Sequence, residues 1–128
     1  METRIPAAPT PWPETEKFWA AAAEHKLLLK RCLVTNKAFF YPRNHSPFSG
    51  SPATEWFEAS GKGTIYSYSI LPRATPPYCI AYVELEEGPK VLTNVVTDKF
   101  EIIEIGMAVT VTFVPSESGQ LIPMFRPI

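Results

Sequence analysis

Cysteine is scarce in this chain of 128 residues: there are two, Cys32 and Cys79. That is too few for a disulfide framework, and both are expected as reduced thiols. Histidine is as rare, with His25 and His45 alone. No spacing ties a thiol to an imidazole, so a Cys/His catalytic pair is not expected. Glycine is limited to six residues; Gly61-Lys62-Gly63 reads as a turn, and the Gly-rich loops that cradle phosphates are missing. No apolar run approaches membrane-spanning length, and none follows Met1-Glu2-Thr3-Arg4 as a signal peptide would require. A soluble cytoplasmic protein is the expectation. Neither sign of charge dominates, the net charge being -1. Residues 1–51 carry seven Lys/Arg against four Asp/Glu, and residues 52–128 carry five against nine. A nucleic-acid groove needs clustered cations to release counterions, and the acidic second half argues against that partner.

What is present is organised in two parts. Pro6, Pro9, Pro11 and Pro13 make Ile5 to Pro13 an extended arm carrying Trp12. Glu14 to about His25 reads as a helix, with Pro13 in its first turn, acidic residues at its start and four consecutive alanines. Its Phe18 and Trp19 either pack on the body or face a partner protein. Lys26 to Arg31 and Ala38 to Tyr41 read as the strands of a small hairpin-built lobe.

Between them, Arg31 to Ser51 has the layout of a zinc ribbon. Cys32 and Thr35 stand where a first C-x-x-C knuckle belongs, and Ser46 and Ser49, followed by Gly50, stand where a second belongs. Structural zinc wants four thiolate or imidazole ligands, and hydroxyls are too weakly acidic to replace them. Cys32 alone does not hold zinc, and adding His45 leaves the set incomplete. No metal is expected.

From Thr54 the texture is that of strands. Thr64 to Leu71 alternates, with Tyr66, Tyr68 and Ile70 expected on one face and Ser67 and Ser69 on the other. Ile80 to Leu85, Val91 to Thr97, Val109 to Phe113 and Leu121 to Phe125 follow, with a short helical turn expected within Asp98 to Gly106. Asn94 is expected to satisfy a backbone group at a turn. Five strands in about sixty-five residues suit a small closed barrel. The fold expected is mainly β: a five-stranded oligonucleotide-binding (OB) barrel, residues 54–128, preceded by an N-terminal arm, helix and degenerate ribbon lobe, residues 1–53.

These features together resemble a bacterial and archaeal family of unknown function, number thirty-five, built of an N-terminal rubredoxin-like zinc ribbon and a C-terminal OB-fold. The carriers are PETEKFW (13–19), the ribbon frame (31–51), EWFEASGKGTIYSYS (55–69), PPYCIAYVELEEGPKVLTNVV (76–96), IGMAVTVTF (105–113) and LIPMFRP (121–127). The family normally has cysteines at Thr35, Ser46 and Ser49, so here the lobe must be held by Phe39, Phe40, Tyr41 and Phe48 or by an interface. The resemblance implies a non-catalytic accessory subunit beside a thiolase-like or hydratase-like acyl-CoA enzyme, bridging partners or completing an acyl-CoA channel.

Coenzyme A calls for cations and an aromatic wall. The candidates are Arg43, Arg73, Lys90 and Arg126 with Tyr41, Tyr78 and Phe125, while Trp12, Phe18 and Trp19 are the candidates for protein contact. Two other readings stay open: an OB-fold that stacks single-stranded nucleic acid on Tyr66, Tyr68 and Phe125, and a homo-oligomeric scaffold.

Overall fold

The computed structural model describes residues 4–128. The helix α1 (Glu16–Ala23) begins where the Thr15 hydroxyl accepts the Trp12 amide at 2.9 Å and places Glu16 in the first turn, favourable to the helix dipole. It is shorter than its alanine-rich sequence suggests because His25 takes a left-handed conformation, φ 62°, just beyond the end. Phe18 and Ala22, one turn apart, are its buried residues.

Three strands follow in the lobe: β1 (Leu28–Cys32), β2 (Ala38–Phe39) and β3 (Thr54–Glu58), in the sheet order β2-β1-β3. Residues 54–58, assigned to the barrel from sequence, thus complete the lobe's sheet. Their register against β1 runs from Leu28↔Glu58 to Cys32↔Thr54, and side chains lock it, with Lys30 over the Trp56 ring and Arg31 over the Phe57 ring.

The barrel comprises β4 (Lys62–Leu71), β5 (Tyr78–Leu85), β6 (Lys90–Val95), β7 (Ala108–Pro115) and β8 (Leu121–Pro127). It closes in the order β4-β5-β6-β8-β7, with a single 3-10 turn, Phe100–Ile102, between β6 and β7. Strand β5 shows the period that fills such a barrel: Cys79, Ala81, Val83 and Leu85 point inward while Ile80, Tyr82 and Glu84 point out. They meet Ile65, Val91, Val95, Val109 and Phe125 in one core.

The expected alternation of β4 fails at one point. A bulge between Ile65 and Ser67 shifts the register, so that Ser67 and Ser69 lie opposite the outward Tyr82 and Ile80, while Tyr68 and Ile70 lie opposite the inward Ala81 and Cys79. Tyr66 and Tyr68 therefore do not share a face. No helix among the described residues is long and apolar enough to cross a membrane.

Gly63 is where the barrel tolerates no side chain. A Cβ there would sit 2.5 Å from the Glu84 carbonyl oxygen and 2.8 Å from a Val83 methyl. Gly63→Ala is expected to lower stability by about 3 kcal/mol, the cost of overpacking against backbone, as read by chemical denaturation. A change below about 1 kcal/mol would mean that β4 and β5 separate easily.

Candidate functional site

The ribbon frame closes as the sequence layout suggests. In the first turn the Cys32 amide donates to the Lys37 carbonyl (2.8 Å), the Asn36 amide to the Cys32 carbonyl (2.7 Å), and the Thr35 amide to the Cys32 sulfur (3.4 Å). The second turn repeats this pattern fourteen residues on: the Ser46 amide donates to the Ser51 carbonyl (2.9 Å), the Gly50 amide to the Ser46 carbonyl (2.8 Å), and the Ser49 amide to the Ser46 hydroxyl (3.3 Å). Asn36 and Gly50 both take φ near +60 to +75°, as the matching turns require.

The two knuckles face each other, Cys32 Sγ lying 3.4 Å from Ser49 Oγ. Phe39, edge-on to Phe48 with ring centroids 6.3 Å apart, supports them from the β2 side. One thiol among hydroxyls is not a donor set for zinc, and among the described residues no group of three or more His, Cys, Asp or Glu converges. Burial pushes the Cys32 thiol up, but hydrogen bonds from Ser46, Ser49 and Thr35 outweigh it and bring its pKa down to about 6. Cys79 is the opposite case, its thiol raised by burial inside the barrel. It donates to the Ile80 carbonyl, and His25 packs edge-on against Phe113, so neither meets the other.

A second locus lies between lobe and barrel. A cavity of about 330 Å³ is lined by Trp19, Phe40 and Tyr41 on one side and Leu92, Thr93 and Pro123 on the other. The Trp19 indole donates to the Tyr41 hydroxyl at 3.0 Å, fixing both rings, and Gln120 of the barrel donates to the Trp19 carbonyl at 3.1 Å. Arg43 sits over the Tyr41 ring, 5.6 Å from its centroid, and 3.9 Å from Glu14. Its carbonyl is held at 3.0 Å by Lys30, whose ammonium pKa is lowered by burial.

The predicted residues divide accordingly. Tyr41, Arg43, Phe18, Trp19 and Phe125 come together here, with two corrections. Phe18 is 3% exposed, wedged against Trp19, Phe40 and Tyr41, so it is core and not a contact surface. Phe125 is also buried, forming only the cavity floor, and cannot serve as a stacking platform. Trp12 is largely exposed on the arm.

The others are scattered. Arg73 is exposed in the β4–β5 connection, Arg126 is exposed on β8 and bonds its neighbour's carbonyl, and Lys90 pairs with Glu84 on the outer face. Tyr78 borders a different cavity, of about 310 Å³, at the barrel end. There Arg4 stacks 4.3 Å from the Tyr78 centroid and donates to Asn94 Oδ1 at 2.8 Å. Asn94 therefore holds the arm rather than a turn. Sequence reasoning missed Arg4, since nothing local in a proline-rich arm signals a partner ninety residues away.

Comparison with known proteins adds the following. Residues 56–114 match the family model described as ChsH2, C-terminal OB-fold domain. A DUF35 domain-containing scaffold protein of Methanothermobacter thermautotrophicus is 34% identical over 108 residues, covering 78% of this chain and 81% of that protein. A probable enoyl-CoA hydratase alpha subunit of Thermomonospora curvata is 34% identical over 116 residues, which cover 86% of this chain. The match spans about a third, 36%, of that longer protein. The solved structure of an Ltp2-ChsH2(DUF35) aldolase contains a chain that superimposes with a TM-score of 0.81 at 31% identity, over 94% of this chain and 98% of that one.

Proposed function

Because this chain belongs to the DUF35 family, we propose that it is a non-catalytic accessory subunit of a thiolase-like or hydratase-like acyl-CoA enzyme, and that it holds the acyl part of the thioester between lobe and barrel. The observation that carries the reading is the match, over almost its whole length, to the DUF35 chain of an aldolase assembly. Three of its four thiol and imidazole groups support a non-catalytic part: Cys32 faces hydroxyls, Cys79 is enclosed in the barrel, and His25 packs on Phe113. The cavity supports the ligand. It is within the size range of small-molecule sites and apolar along most of its wall, and the Arg43 guanidinium, shared with Glu14, lies outside it over the Tyr41 ring, where an anionic headgroup would compete with that carboxylate.

Two measurements test this. Tagged chain retained from its own cells at moderate salt should bring down an acyl-CoA enzyme, identified by mass spectrometry. Acyl-CoAs of increasing length, titrated against tryptophan fluorescence, should bind about fourfold more tightly per added methylene until the cavity is full. Thr93→Trp, which fills the cavity, should abolish the dependence on chain length. If neither an enzyme nor an acyl-CoA binds, the proposal fails; strong, salt-dependent binding of oligonucleotides would replace it with the nucleic-acid reading.

A further inference from the structure

The outer face of β4, β5 and β6 is built unlike a solvated sheet. Register places its outward residues in three rows across the strands: Thr64, Glu84 and Lys90; Ser67, Tyr82 and Leu92; Ser69, Ile80 and Asn94. At the bulge, Tyr66 adds a further ring beneath the Lys90 ammonium, 4.8 Å away. Tyr66 is 55% exposed, Tyr82 47%, Leu92 62% and Ile80 37%. Large apolar side chains fill the middle, and small polar residues with one Lys–Glu pair rim them. Interface centres have this composition.

Of the two cations at the face, Lys90 is paired and Arg4 is engaged by neutral groups. Lys90 lies 3.5 Å from Glu84, its register partner, and Arg4, which reaches the lower row, is held by Asn94 and Tyr78. The equivalent face of OB barrels often takes oligonucleotides. A polyanion needs clustered free cations in a groove, and this face offers one paired lysine and, at its edge, a single arginine. A neutral, aromatic-compatible protein surface fits it.

Leu92 supplies the link to the rest of the molecule. It is opposite Tyr82 in the middle of the face and also lines the rim of the lobe–barrel cavity. Anything seated on the face therefore reaches the cavity's edge at Leu92. We infer that the outer face of β4–β6 centred on Tyr82 is where the acyl-CoA enzyme subunit docks, meeting the cavity at that edge. This rests on the accessory-subunit reading and gives it a surface.

The test uses the full chain with the enzyme that it retains. Tyr82→Glu and Ile80→Glu place a charge on the face without touching the cavity, and circular dichroism and melting confirm that each variant folds. Each should weaken capture of the purified enzyme at least about 30-fold, as loss of an interface hot spot does. Tyr82→Phe should hold it as wild type does, capture should survive high salt, and the acyl-CoA titration of the free chain should be unchanged in all three. Undiminished capture by folded Tyr82→Glu overturns the docking face and leaves the accessory reading standing. So would a wild-type homodimer that Tyr82→Glu splits, which gives the face to a second copy, or oligonucleotide binding that Tyr82→Glu abolishes. A wild-type chain that retains no acyl-CoA enzyme removes both proposals.

Discussion

A chain carrying Thr35→Cys, Ser46→Cys and Ser49→Cys together is expected to take up one zinc per molecule with nanomolar or tighter affinity and to melt about 10 °C or more above wild type. The reason is that the expensive part of a zinc site, its backbone, is already assembled. Both knuckle turns are closed by matching sets of hydrogen bonds, and the positions that would carry the new thiolates already flank Cys32. Zinc would bind the folded lobe and not the unfolded chain. At a thousandfold excess over its dissociation constant, such a ligand stabilises by about 4 kcal/mol, which for a domain of this size is a rise of roughly 10–20 °C. Metal analysis, cobalt substitution and melting with and without chelator read the outcome. Wild type should melt identically in both. A triple variant that takes up no metal would mean that the four side chains diverge, contrary to the geometry described.

Much of this was legible in the sequence, for reasons that can be named. The ribbon frame could be read because knuckle spacing and the positive-φ residue after each pair are local properties; Gly50 announces one, and Asn36, which tolerates that conformation, supplies the other. Strand β5 could be read because its apolar residues alternate. The same alternation held the docking face: Tyr82 and Ile80 share a side with Glu84, so two large apolar residues stand on a polar face, a signal visible without coordinates. The bulge at Tyr66 was not legible, because one extra residue inverts everything after it and leaves the pattern Tyr-Ser-Tyr-Ser-Ile looking regular. Nor was the sheet to which Thr54–Glu58 belongs, since pairing is chosen by a distant strand. Phe18 and Trp19 are neighbours in one helix, and only the packed lobe decides that the first is buried in the core and the second stays half-buried at the cavity wall.

Folded wild-type chain is expected to gain stability as pH rises from about 6 towards 9, and Cys32→Ser is expected to lose that slope. The Cys32 thiol has its pKa lowered from 9.0 to about 6 in the fold, against burial, by hydrogen bonds from Ser46, Ser49 and Thr35. A group more acidic in the folded than in the unfolded state favours folding when deprotonated. Its contribution is complete above the unfolded value, shrinks as pH falls through the window, and is gone below the folded value. Cys79, whose thiol burial raises, acts in the opposite sense at the alkaline end. The wild-type minus Cys32→Ser difference cancels it. Ser46→Ala, which removes the first of the opposing hydrogen bonds, should move the thiolate's ultraviolet titration upward towards an ordinary thiol, and the stability slope with it. A difference curve flat between pH 6 and 9 would mean that Cys32 stays protonated. The hydroxyl cluster would then hold the lobe as neutral hydrogen bonds, not around an anion.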